Sequence, residues 1–155
     1  MDEQFMREAI RESREGMQEN DGGPFGAIVV KDGKIVGRGH NRVLATNDPT
    51  AHAEVVAIRD ACKNLGTFQL DDCEVYTSCE PCPMCLGAIY WARPKRVFFG
   101  CTRTDAADIE FDDDFIYAEI TVPLEQRKIP MIPLLREEAL EVFRAWQTKG
   151  DKTLY

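Results

Sequence analysis

The sequence predicts an α/β fold of three layers (α/β/α), in which a mixed five-stranded sheet lies between helices on both of its faces. Two patterns support this fold: several segments repeat apolar residues at helical spacing, and runs rich in β-branched residues lie between them. The elements follow the order helix, hairpin, helix, strand, helix, strand, strand, helix. With 155 residues, of which 44% are hydrophobic and 30% charged, the chain fits one compact domain, residues 1–155.

The first half of the chain predicts two helices around a hairpin. Residues 2–19 place apolar side chains near helical spacing until NDGG stops the pattern. The apolar runs PFGAIVV and IVGRGH flank KDGK, and an Asp-Gly pair between such runs is typical of a β-hairpin turn. From Thr50 the pattern changes to a helical stripe that contains Val55 and Ile58, and Gly66 is positioned to end it.

The second half predicts three more strands and the remaining helices. CEVYTS and RVFFG are strands, and between them PCPMCLGAIYWAR forms a helix that ends before Pro94. The acidic and aromatic stretch DIEFDDDFIYAEI fits a loop that runs into a short helix. KIPMIPLL is predicted as the last strand, at an edge of the sheet where its prolines are tolerated. Leu140, Phe143 and Trp146 mark a closing helix.

Charge and terminal sequence narrow the class of function. Lys and Arg number 19 against 27 Asp and Glu, and the resulting net charge of −8 opposes binding to the phosphates of a nucleic acid. A small, neutral substrate suits this balance better. The N-terminal MDEQFMREAI has acidic residues where a signal peptide needs a basic region, and no stretch reaches membrane-spanning length. We therefore expect a cytoplasmic protein that does not associate with membranes.

One histidine and two cysteines form a candidate metal site. Cys82 and Cys85 are three residues apart, so a helix presents both on one face, and its first turn favours the thiolate form. His52 offers an imidazole nitrogen from the start of the preceding helix. Three protein ligands are the number that a catalytic zinc uses when water or hydroxide holds its fourth position. We therefore predict one Zn²⁺ per chain.

Other uses of the cysteines remain open. Cys79 can complete a closed, structural zinc site, although it falls in the turn from strand to helix. Six cysteines are also enough for a disulfide framework, which the lack of an export signal disfavours. Cys62, Cys73 and Cys101 are predicted to be small buried hydrophobic residues. His40 receives no predicted role.

Glu54 is the candidate proton carrier. It lies two residues after His52, so a helix turns it away from the ligand direction and it can approach a substrate without binding the metal. H-x-E followed by P-C-x-x-C is the signature of zinc-dependent deaminases of nucleobases and nucleosides. In that chemistry zinc lowers the pKa of its water to about 7. The glutamate then accepts a proton and delivers protons to the ring nitrogen and to the departing ammonia.

Several longer segments resemble one family in particular. GGPFGA, NDPTAHAEV, YTSCEPCPMCLGAIYWARPK, FDDDFIY and the terminal Tyr155 are similar to the small bacterial guanine deaminases of the cytidine deaminase-like fold, essentially from end to end. The resemblance implies hydrolytic deamination of guanine to xanthine and ammonia, in purine catabolism or salvage. The zinc motif is shared across the superfamily, whereas FDD before FIY and the C-terminal aromatic residue indicate guanine.

The resemblance also implies which residues recognise the base. Asp113 matches the aspartate that accepts hydrogen bonds from N1–H and the 2-amino group of guanine and can help to move protons. Asn41 matches the amide that recognises O6 or N7. Phe25 and Trp91 match the rings that flank the flat base.

The C-terminal segment is a candidate lid. Residues 151–155 are polar up to the terminal Leu154 and Tyr155, and such an end would ordinarily be frayed. The resemblance implies a homodimer that exchanges its C-terminal segments between chains. Tyr155 of one chain would then help to cover the site of the other.

Three other functions remain open at this point. tRNA adenosine deaminases share the zinc motif, but they need a basic surface that a net charge of −8 disfavours. Deamination of another small ring, such as cytosine, guanosine, an aminated triazine or a pterin, needs the same chemistry. A non-catalytic zinc-binding module would keep the metal for folding, but it would not require Glu54.

Overall fold

The computed structural model describes residues 2–155 as two compact units. The first unit ends at Asp113, and the second runs from Asp114 to Tyr155. The sheet and the predicted metal ligands belong to the first unit. The single domain over residues 1–155 stays a prediction. Within residues 2–155, none of the helices combines the length and the apolar character that crossing a membrane requires.

Four strands form the sheet of the first unit, in the spatial order β2-β1-β3-β4. They are β1 Gly26–Lys31, β2 Lys34–His40, β3 Cys73–Cys79 and β4 Arg96–Cys101. β1 runs antiparallel to β2 and to β3, whereas β3 and β4 are parallel, so the sheet is mixed as predicted. Asp32 and Gly33 connect β1 to β2, which confirms the predicted hairpin.

The described part of the first unit contains three longer helices and two short ones. They are α1 Glu3–Gln18, α2 Val43–Thr46, α3 Ala53–Leu65, α4 Pro83–Ala92 and α5 Arg103–Asp108. α1, α3 and α4 confirm the helices that the sequence predicts. α2 and α5 span only 4 and 6 residues, which is too short for a periodic pattern to reveal them.

Side chains that alternate along β1 divide the core into two layers. Ala27 and Val29 join one cluster, with the buried alanines of α3. Ile28 and Val30 join the other, with Ala9 of α1. Because successive strand residues point to opposite faces, α1 and α3 cover opposite faces of the sheet. The predicted arrangement of a sheet between helices is therefore present.

The predicted fifth strand is wrong. KIPMIPLL, residues 128–135, forms an irregular segment, and the sheet of the described residues has four strands. Pro130 and Pro133 lack the N–H group that a strand donates to its neighbour. The apolar spacing of the segment imitates a strand, but such spacing does not reveal whether a partner strand is available.

The second unit consists of helices α6 Asp114–Thr121 and α7 Arg136–Thr148, with a 3₁₀ turn at Leu124–Gln126. α6 agrees with the predicted loop that runs into a short helix, and α7 confirms the predicted closing helix. None of the residues in these three elements is buried. The unit therefore exposes many large apolar side chains, among them Ile129, Ile132, Leu134, Val142 and Phe143.

The six cysteines are all free, so the structure does not support a disulfide framework. Cys73 is buried in the core cluster and Cys62 packs against it while partly buried, as predicted. Cys101 is exposed, so its predicted burial is wrong. It is the last residue of β4, which lies at the edge of the sheet.

Candidate metal centre and active site

The predicted metal ligands lie at the starts of two helices. His52 is the residue before the first turn of α3, and Cys82 holds the same position in α4, with Pro83 following it. Cys85 lies one turn into α4 and is buried. Neither His52 nor Cys82 uses its side chain to cap its helix. The local structure therefore leaves both side chains available for another partner.

The three donor atoms have the spacing of a zinc site. Nδ1 of His52 lies 3.5 Å from Sγ of Cys82 and 3.5 Å from Sγ of Cys85. A tetrahedral zinc with Zn–N bonds of about 2.1 Å and Zn–S bonds of about 2.3 Å holds its nitrogen and sulfur ligands about 3.6 Å apart. All three donor atoms lie within 4.8 Å of one another. Both the donor types and their distances therefore fit zinc.

The protonation of the ligands also suits a cation. Hydrogen bonds from the Cys85 thiol and from His52 lower the pKa of Cys82 to about 4. The bond to Cys82 raises the pKa of His52, and the bond to Cys82 together with burial raises the pKa of Cys85. Cys82 is therefore the more acidic of the two thiols. Because a metal binds deprotonated ligands, zinc uptake releases the protons that the ligands still carry.

Cys79 does not join this group. Its thiol donates a hydrogen bond to the carbonyl oxygen of Thr102 at 3.6 Å. Burial raises the pKa of Cys79 to about 12, which opposes the thiolate form that a metal ligand needs. The described group around His52 contains Cys82 and Cys85 and no fourth residue. The three-ligand arrangement therefore fits better than a closed structural site.

Glu54 lies beside the ligands and outside their group. It is in the first turn of α3, and only 6% of its surface is exposed. The hydroxyl of Thr77 on β3 donates to Oε1 of Glu54 at 3.1 Å, and it also lies 3.1 Å from the carbonyl oxygen of Cys79. Burial raises the pKa of Glu54. A raised carboxyl pKa suits a group that accepts and then delivers protons.

Asn41 follows β2 directly and is buried. The next residue, Arg42, donates its N–H to the carbonyl oxygen of Ala51 at 2.9 Å, which joins the end of the strand to the segment just before His52. The N–H of Val43 donates to Oδ1 of Asn41 at 3.1 Å. Because this donor requires the oxygen, Nδ2 points away from Val43. The role of Asn41 in recognising a base stays a prediction.

Phe25 lies immediately before β1 and is half-buried. Its ring meets Phe111 edge-on, with the ring centroids 4.9 Å apart and the ring planes at 88°. Such a pair adds packing energy beyond the area that it buries. The sequence pattern did not predict Phe111, because it stands alone in an acidic run without periodicity. Phe25 therefore packs against a second ring, and its role in binding a base stays a prediction.

The remaining predicted residues lie in different parts of the chain. Trp91 is in the last turn of α4 and is 64% exposed. Asp113 is half-buried at the end of the first unit. Tyr155 ends the second unit and is exposed. Their roles in recognising a base stay predictions.

Known proteins share this combination of fold and ligands. Residues 1–101 match the family described as the cytidine and deoxycytidylate deaminase zinc-binding region. The chain belongs to this family of deaminases. It is 57% identical to guanine deaminase of Bacillus subtilis over 153 residues, which cover 99% of this chain and 98% of that protein. The X-ray structure of the Bacillus subtilis guanine deaminase has a TM-score of 0.97 at 56% identity, over 100% of this chain and 99% of that chain.

A tRNA-specific adenosine deaminase of Aquifex aeolicus is similar over a shorter region. It is 43% identical over 97 residues, which cover 63% of this chain and 64% of that protein. Membership of the family confirms the predicted zinc-binding deaminase and its relationship to guanine deaminases. The family match contains the metal ligands and Glu54 but ends before Asp113. The residues predicted to select the base thus extend beyond the region that the family match covers.

Proposed function

We propose that this protein is a zinc-dependent deaminase that converts guanine and water into xanthine and ammonia. The observation that carries the proposal is a three-ligand zinc group with the buried carboxyl of Glu54 beside it and outside the ligand group. Similarity to a guanine deaminase over 99% of the chain supports guanine as the substrate. Six free thiols suit a reducing compartment, so we expect the protein to act in the cytoplasm.

Glu54 moves the protons of the reaction. Zinc, when bound by His52, Cys82 and Cys85, supplies the positive charge that makes a water molecule nucleophilic near neutral pH. Glu54 accepts a proton from this water as its oxygen forms a bond to C2 of guanine. It delivers this proton to the adjacent ring nitrogen, then takes the second proton from the new C2 hydroxyl and passes it to the 2-amino group. The C2–N bond breaks as the C2=O bond forms, and ammonia is released. Thr77 restrains the carboxyl group through Oε1.

Recognition of guanine requires donors and acceptors in matching positions. Nδ2 of Asn41, which points away from Val43, donates to O6 or N7 of the base. The carboxylate of Asp113 accepts from N1–H and the 2-amino group, as a bidentate acceptor. Phe25 and Trp91 flank the ring. Asp113→Asn replaces one acceptor by a donor, and we expect it to lower kcat/KM for guanine by roughly a hundredfold.

The reaction is tested by ammonia release from zinc-loaded protein with guanine, guanosine, adenine, cytosine and ammeline in parallel. We expect release from guanine and none from Glu54→Gln with zinc still bound. Glu74→Gln, which changes a carboxyl group on the same sheet that bonds Tyr76, is the matched control and should keep its activity. Full activity of Glu54→Gln would falsify the proton-transfer role. If protein that holds one zinc per chain releases no ammonia from guanine, the assignment of guanine as the substrate is refuted.

A second candidate is deamination of adenosine in tRNA, which the similarity to the Aquifex aeolicus enzyme favours. The net charge of −8 opposes it, since phosphate contacts dominate affinity for nucleic acids. Binding to tRNA in a gel-shift assay that weakens steeply with salt, together with inosine formation, would support this candidate. Ammonia release from free guanine without tRNA binding would leave guanine as the substrate.

We also propose that two copies of the chain form a homodimer through apolar surfaces of both units. β4 is the last strand of the described sheet, and Phe99 on it is 50% exposed. Residues 129–135 of the second unit form an irregular segment with exposed apolar side chains. Exposed apolar side chains on both surfaces are typical of contacts between protein chains. Sedimentation should show a dimer, and Ile132→Asp should shift it to monomer; a monomeric parent protein would refute the proposal.

A further inference from the structure

The second histidine of the chain lies against α1, on the sheet face opposite to α3. The ring of His40 bridges two carboxylates: Nε2 lies 2.7 Å from Oδ2 of Asp21, and Nδ1 lies 3.4 Å from Oε2 of Glu12. The three side chains are between 12% and 21% exposed. Contacts between an imidazole and carboxylates in such a partly enclosed place are less screened than surface ion pairs.

α1 provides a fitted position for the ring of His40. A Cβ atom added to Gly16 would lie 2.4 Å from Cδ2 of His40, so no larger residue fits there without movement. The N–H of Asp21 donates to the carbonyl oxygen of the same Gly16 at 3.0 Å. Gly16, in the last turn of α1, therefore contacts both His40 and Asp21.

Asp21 also connects the His40–Asp21 pair to α2. Its carbonyl oxygen accepts hydrogen bonds from the N–H groups of Leu44 and Ala45, both at 3.0 Å, in the first turn of α2. These are amides that a helix start cannot satisfy internally. The Nε of Arg42 lies 3.7 Å from the same carboxylate oxygen that meets His40. Asp21 thus connects α1, the end of β2 and α2.

The loop that follows Asp21 packs directly on a residue of the proposed substrate site. A Cβ atom on Gly22 would lie 2.0 Å from Oδ1 of Asn41, so the loop backbone touches this amide. The N–H of Asn41 donates to the carbonyl oxygen of Phe25 at 3.0 Å, where the loop enters β1. Residues 21–25, which we call the 21–25 loop, therefore hold Asn41 on one side and end in Phe25.

We propose that His40 is a positioning residue for substrate recognition, which acts by holding the 21–25 loop through Asp21. The loop then keeps the Asn41 amide and the Phe25 ring in the geometry that guanine requires. His40 itself lies against α1 and touches neither the metal ligands nor Glu54 in the described contacts. Its kinetic effect depends on the proposed guanine deamination, whereas its effect on the loop does not.

The test compares two variants of His40. His40→Leu removes both contacts, and we expect the KM for guanine to rise about tenfold, as the loss of a hydrogen bond to a partly buried carboxylate would give, while kcat changes less than twofold. His40→Gln retains an amide donor that can reach Asp21, and it should restore most of the KM. A loss confined to kcat, or equal KM values in Leu, Gln and parent proteins, would overturn the proposal.

Arg38→Gln is the matched control. Arg38 lies two residues earlier on β2 and also meets α1, through ion pairs to Glu8 at 2.8 Å and to Glu12 at 3.4 Å. None of its recorded contacts reaches the 21–25 loop. If His40 only stabilises the packing of α1, both variants should lower Tm and neither should change KM. A KM increase in the control equal to that in His40→Leu would also contradict the proposal.

Hydrogen exchange separates this inference from the proposed function. The amides of Leu44 and Ala45 should exchange about tenfold faster in His40→Leu than in the parent protein and in Arg38→Gln, because their acceptor belongs to Asp21. Unchanged exchange would overturn the proposal even where guanine is deaminated. Faster exchange in a protein that releases no ammonia from guanine would confirm the loop contact, and the failure would then lie with the substrate assignment.

Discussion

The two units of the chain use their apolar residues in opposite ways. In the first unit, clusters on both faces of the sheet bury residues such as Ile28 and Leu70, and polar groups such as Glu54 are buried with partners. In the helices of the second unit no residue is buried, and large apolar side chains are exposed. A group that moves protons needs a fixed and dry environment, whereas exposed apolar faces mark an interaction surface. The predicted metal ligands and Glu54 therefore lie in the unit with the buried core, whereas the second unit offers exposed apolar surface.

The largest expected difference is between two leucines. Leu70 is 1% exposed in the core, whereas Leu134 of the second unit is 83% exposed. Leu70→Ala should lower the free energy of unfolding by about 2–5 kcal/mol, because it leaves a cavity. Leu134→Ala should change it by less than about 0.5 kcal/mol at protein concentrations low enough to keep the chain monomeric. Urea unfolding measures both, and equal losses would contradict the different burial of the two leucines.

Burial of the ionised Glu54 carboxylate should lower the free energy of unfolding of the first unit at high pH. Its pKa is raised from 4.5 by burial, so its stabilising contribution is complete below pH 4.5 and is lost as the pH rises through the folded pKa. Glu54→Gln does not titrate, and we expect it to stabilise the zinc-free protein by about 1–3 kcal/mol at pH 8 and by less at pH 5. The exposed Glu19→Gln is the control. A variant less stable than the parent at pH 8 would contradict this assignment.

The Thr77 hydroxyl should affect turnover more than binding. Thr77→Val keeps the shape of the side chain but removes the donor to Oε1 of Glu54. We expect kcat to fall about tenfold with little change in KM, since one neutral donor contributes about 1–1.5 kcal/mol. Thr77→Ser keeps the hydroxyl and should retain most of the turnover. Zinc content is measured in each variant, and a rise in KM alone would argue against restraint of Glu54 by this residue.

The smallest effect is expected from the end of the second unit. Deletion of residues 151–155 removes Tyr155 and should raise the KM for guanine by about two- to tenfold, the range for loss of one ordered side chain from a binding site. Zinc content and the unfolding free energy of the first unit should not change. Tyr155→Phe keeps the ring and serves as the control. Kinetic constants equal to those of the full chain would contradict the lid that the sequence predicts.

Short local patterns in the sequence predicted many of the helices and strands. The Asp-Gly hairpin, the three longer helices of the first unit and the closing helix were all predicted, because a few neighbouring residues specify each of them. The predicted fifth strand does not form. A strand needs a neighbouring strand to pair with, and the spacing of apolar residues does not reveal whether one is available. Contacts between distant residues were also missed: Thr77 meets Glu54 across 23 positions, and His40 meets Asp21 across 19.

The sequence by itself determined the chemical types at the site and the reaction that they suit. One imidazole, two thiols and a carboxyl at short, regular spacings indicate zinc chemistry whatever surrounds them, because side-chain chemistry belongs to each residue. Only the tertiary structure decided that Cys79 stays outside the ligand group, that Glu54 is buried, and that His40 meets two carboxylates. Burial, distance and the resulting pKa shifts depend on how segments far apart in the chain pack together.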